Sequence, residues 1–71
     1  MTETRQERFK RLAVYRTNAV LEKLRILGNL SNRANYDYSD EDVRKIFRAI
    51  EKEIGILKPK FLVKSRREFK L

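Results

Sequence analysis

The sequence predicts an all-α chain: an antiparallel two-helix hairpin with a basic C-terminal tail or short third helix, dimerising into a four-helix assembly. Three observations lead there. Two segments carry apolar residues at helical spacing, each opens on a capping signature, and the first carries more apolar surface than the second can cover.

The first helix is expected over about 5–27. Thr4 with Glu7 three residues on has the form of a capping box, in which the hydroxyl accepts from the N3 amide and the carboxylate accepts from the N-cap amide. No glycine or proline interrupts the segment until Gly28, and Gly28 with Asn29 supplies residue types suited to the left-handed conformation that closes many helices. At about 100° per residue its apolar side chains fall into two stripes. Phe9, Ala13, Val14, Val20, Leu21, Leu24 and Leu27 make one; Leu12, Tyr15, Ala19 and Ile26 make the other, with Arg16 and Lys23 between them.

The second helix is expected over about 40–58. Ser39 and Asp42 repeat the capping spacing, Asp40 and Glu41 set negative charge on the positive end of the helix, and Tyr38 is placed to staple onto Val43. Val43, Ile46, Phe47, Ile50, Ile54 and Leu57 share one arc of roughly 100°. Pro59 lacks an N–H and its ring opposes the preceding turn, so the helix is expected to stop at or before Lys58. Gly55 marks either close packing or an early fray. The resulting division is a hairpin over 1–58, with connector 28–39, and a basic tail over 59–71.

One stripe on the second helix cannot cover two on the first. The apolar area of two helices also falls short of the entropy of ordering them. The spare stripe is therefore expected to meet a second copy, giving a homodimer, or else the tail, where Phe61, Leu62, Ser65 and Phe69 would share one side of a short helix. The tail equally suits a segment that orders only on binding.

The 71 residues suffice for one domain. With no cysteine and no histidine, disulfides, thiol nucleophiles, imidazole bases and nearly all transition-metal ligand sets drop out. The longest apolar runs, Leu12–Tyr15 and Phe61–Val63, fall far short of the ~18 residues of a membrane span, and no signal-peptide pattern precedes them. A cytoplasmic location is expected, without cofactor, metal or catalytic residues. Asp37, Asp40, Glu41 and Asp42 are read as serving a helix dipole in preference to Mg²⁺.

The net charge of +8 is unevenly spread. Residues 1–28 hold seven bases against three acids, residues 29–58 six of each, and residues 59–71 five bases against one acid. Antiparallel pairing would bring Arg5, Arg8, Lys10 and Arg11 to the same end as Lys60, Lys64, Arg66 and Arg67. Such an end is a candidate for non-specific binding of DNA or RNA through phosphates. The alternative is that the charges are solvated surface and the chain is a homodimeric protein-interaction or regulatory adaptor module. Contact of Phe61, Leu62 and Phe69 with anionic lipid is a remoter third reading.

The connector, GNLSNRANYDY, gathers three asparagines, two tyrosines and an arginine. The plain reading is a capped turn, with Leu30 plugging the bundle and the tyrosines closing it. The functional reading is a recognition surface of Asn32, Arg33, Asn35, Tyr36 and Tyr38, with the rings for stacking and the polar groups for hydrogen bonds. The run LGNLSNRANYDYSDEDVRKIF, preceded by RFKRLAVYRTNAVLEKLR, resembles a family of short uncharacterised bacterial proteins with a GNLSNRxNYxY connector between a basic amphipathic helix and an acid-capped one. The resemblance covers roughly residues 8–61 and is specific chiefly in the connector. It implies a bacterial or mobile-element origin and a two-helix core, brings no activity with it, and has no pattern for the tail.

Overall fold

A computed structural model of the chain describes residues 2–66, with side chains as far as residue 62. All regular structure among them is helical: α1 (Arg5–Gly28), a 3-10 turn (Asn29–Ser31) and α2 (Asp40–Arg66). The chain divides into two compact units, Met1–Asp37 and Tyr38–Leu71.

In the first unit α1 begins on the expected capping box. Thr4 is extended, with φ −75° and ψ 166°. Its Oγ1 accepts from the Glu7 N–H at 3.0 Å, while its own N–H donates to Glu7 Oε1 at 3.0 Å. The far end differs from expectation. Gly28 (φ −62°, ψ −22°) and Asn29 (φ −64°, ψ −20°) are both right-handed, and no described residue has a positive φ. The helix tightens instead of reversing: the Asn29 N–H donates to the carbonyls of Ile26 and Leu27, and the chain passes into the 3-10 turn. Such tightening gives terminal carbonyls a partner without a left-handed residue.

The second unit opens with the other expected cap. Asp42 N–H donates to Ser39 Oγ at 3.1 Å and Ser39 N–H to Asp42 Oδ2 at 3.0 Å, with Val43 N–H closing the first turn on the Ser39 carbonyl at 3.2 Å. Tyr38 and Val43 are both half-buried. The end of α2 corrects the sequence-based expectation. Pro59 lies inside the helix, which continues to Arg66, so residues 60–66 extend α2 and are neither a separate tail nor a third helix.

The apolar stripe that runs on past Pro59 favours the continuation. The carbonyl that Pro59 leaves without a donor, and against which its ring presses, belongs to Gly55, four residues back. A Cβ added at Gly55 would meet nothing within 4 Å, and the helix does not fray there. Beyond the proline the apolar period is unbroken: Phe61 stands four residues after Leu57 and seven after Ile54, on the same stripe. The expected contribution of Phe69 falls outside the described residues.

No described residue is buried in either unit. Leu12, Ala13, Leu27, Val43 and Ile50 are half-buried, whereas Val14, Leu21, Phe47 and Phe61 are more than half exposed.

Candidate nucleic-acid interface

The four candidate basic residues of the first unit, Arg5, Arg8, Lys10 and Arg11, rise from the first two turns of α1. Helical geometry sets Arg5, Arg8 and Arg11 in an oblique row three residues apart, whereas Lys10 lies about 160° round the axis from Arg8. The row of three arginines therefore shares a face that Lys10 does not.

Glu3 organises that face. It precedes the Thr4 N-cap, so the chain there is not helical and the side chain can run back along α1. Arg11 donates to it twice, from Nε to Oε2 at 2.7 Å and from Nη2 to Oε1 at 2.9 Å. Arg8 Nε stands 3.9 Å from the same Oε1. The side chains of Arg8 and Arg11 remain 53% and 59% exposed, so the cluster faces solvent. The hydrogen bonds from Arg11 hold the Glu3 carboxyl below its ordinary pKa, and the Glu3 carboxylate raises that of Arg11.

Sequence reasoning missed Glu3. Its spacings of five and eight to the arginines match no intrahelical pair, because it lies ahead of the cap. The available signal was only an acid just outside a basic first turn.

The chain matches no protein-family model, no curated protein and no solved structure. What the site can do must therefore come from its own chemistry.

In the second unit Lys60 is exposed on α2. Lys64 and Arg66 lie in the last turns of the same helix with side chains outside the described residues, and Arg67 falls outside them altogether. Elsewhere on the helices, Arg25 pairs with Glu22, and Arg44 with Glu41 at 3.1 Å.

Within the connector, Asn32 shapes the backbone. Its Oδ1 accepts from the Ala34 N–H at 3.0 Å, and its carbonyl accepts from Asn35 N–H at 3.1 Å and Tyr36 N–H at 3.0 Å. This Asx turn explains an asparagine there without any ligand. Arg33, Asn35 and Tyr36 are exposed around it, and Tyr38 is half-buried at the start of the second unit. Of the acids, Asp42 is committed to the Ser39 cap and Glu41 to Arg44. Among the described residues no three carboxylates are grouped to hold a metal ion, and no helix is long and apolar enough to cross a membrane.

Proposed function

We propose that this chain is a small, non-catalytic, cytoplasmic protein that binds nucleic acid without sequence preference, through basic residues at the two ends of the chain. The observation that carries this reading is the charge distribution: the whole excess of positive charge lies in residues 1–28 and 59–71, with residues 29–58 neutral. Clustered arginine and lysine neutralise phosphates and release counterions, which needs neither a pocket nor base contacts.

On this reading α1 and α2 pair antiparallel. Their lengths suit it, at about 36 and 40 Å for helices of 24 and 27 residues. Pairing would bring Arg5, Arg8 and Arg11 to the end where Lys60, Lys64, Arg66 and Arg67 lie. A second copy then covers the apolar stripe of α1 that α2 cannot, the one formed by Leu12, Tyr15, Ala19 and Ile26. We further take GNLSNRANYDY as kinship with the short bacterial proteins it resembles.

The test is fluorescence anisotropy with a random-sequence duplex across a salt series. Binding is expected at ~50 mM salt, with log K falling linearly against log salt. Lys60→Gln with Lys64→Gln should flatten the slope by about two. No binding at ~50 mM salt would overturn the reading. It would favour the second one, a homodimeric adaptor that docks on a protein, for which the second apolar stripe of α1 is the specific support.

A further inference from the structure

The Glu3 clamp has a geometry that surface ion pairs often lack. One arginine presents two parallel N–H groups to both carboxylate oxygens, at 2.7 and 2.9 Å, and a second arginine stands 3.9 Å from one of those oxygens. A planar fork facing two anionic oxygens, backed by another guanidinium, is the arrangement by which arginine holds a phosphate. The arginines stand three residues apart on a helix whose cap uses neither of them nor Glu3, so the backbone that carries them does not depend on the acid between them. The pair faces solvent, so a competing anion can reach both guanidinium groups.

We propose that Arg8 and Arg11 form a phosphate seat that Glu3 fills as an internal stand-in until a phosphate group displaces it. The proposal rests on the nucleic-acid reading for its biological ligand and names the contact within it: a phosphodiester or terminal phosphate oxygen pair on the fork of Arg11, with Arg8 on one of the two oxygens. Glu3 is then a competitor that weakens binding at the site it organises. Removing its charge strengthens phosphate binding only while Arg11 is present to receive it. A mere change in net charge would act whether or not Arg11 were there.

The experiment uses the full chain labelled with ¹⁵N and titrated with inorganic pyrophosphate at ~20 mM salt, following the arginine Nε–Hε resonances. Arg11 and Arg8 are expected to shift together and before Arg44 and Arg48. Glu3→Gln should tighten pyrophosphate about threefold, the scale of losing one exposed ion pair. Arg11→Lys, which keeps the charge and loses the fork, should weaken it and cancel the gain from Glu3→Gln. The Thr4–Glu7 cap uses neither residue, so helix content by circular dichroism should be unchanged in all three variants. A Glu3→Gln gain that persists in the Arg11→Lys background, or shifts led by other arginines, overturns the seat. Random-sequence duplex run in parallel separates the two claims. Pyrophosphate behaving as expected without duplex binding keeps the seat and removes the nucleic-acid reading; duplex binding indifferent to Glu3 and Arg11 does the reverse.

Discussion

At the scale of single residues, the hydroxyl caps decide where structure begins. Thr4 and Ser39 each satisfy an amide that the first turn would leave open, and each receives an acid in return. Thr4→Ala and Ser39→Ala should each destabilise the helix they open by about 1 kcal/mol, read as lower ellipticity and faster amide exchange in the first turn. Asp42 adds a pH dependence. Hydrogen bonds from Ser39 hold its carboxyl below the ordinary aspartate value. A depressed carboxylate pKa contributes stability that is present above the unfolded value and is lost as pH falls through the folded one. The start of α2 should therefore loosen only below about pH 4, and Asp42→Asn should remove that acid transition. A transition unaltered in Asp42→Asn would show that the cap is not its origin. Both caps were legible because their spacing is local; the Glu3 clamp was not, since it depends on the path of the chain ahead of the helix.

At the scale of elements, proline and glycine were each read by their commonest role, and context reversed both. Pro59 predicted a stop, but a stripe that continues through Phe61 favours continuing the helix. The residue whose carbonyl the proline ring crowds is a glycine. Gly28 predicted a left-handed end, but α1 runs into a 3-10 turn where any residue fits. The signal that was present and unused is Phe61, four residues beyond Leu57 and seven beyond Ile54. These assignments make opposite-sized substitutions informative. Pro59→Ala restores a donor and relieves the ring and should stabilise α2 by up to about 3 kcal/mol. Gly55→Ala, with open space around the new Cβ, should add about 1 kcal/mol through lower backbone entropy in the unfolded state. Thermal melting followed at 222 nm checks both, and a destabilising Gly55→Ala would mean that the glycine relieves strain from Pro59.

At the scale of the whole molecule, helical class was readable from period and composition, because a chain of 39% charged residues with two capped amphipathic segments has few other options. What covers its apolar faces was not readable, since packing between faces depends on shape and on partners that periodicity does not encode. Two features of the sequence dominate the molecule: an apolar stripe on α1 beyond the one α2 can match, and positive charge gathered toward the chain ends. In the proposed reading a second copy meets the first and a polyanion the second. Solution mass by sedimentation at two protein concentrations, each with and without a random-sequence duplex, checks both at once. The mass should move from one chain toward two as concentration rises, and the protein should co-sediment with the duplex until high salt separates them. A single-chain mass at both concentrations, with the duplex sedimenting alone, would contradict that reading.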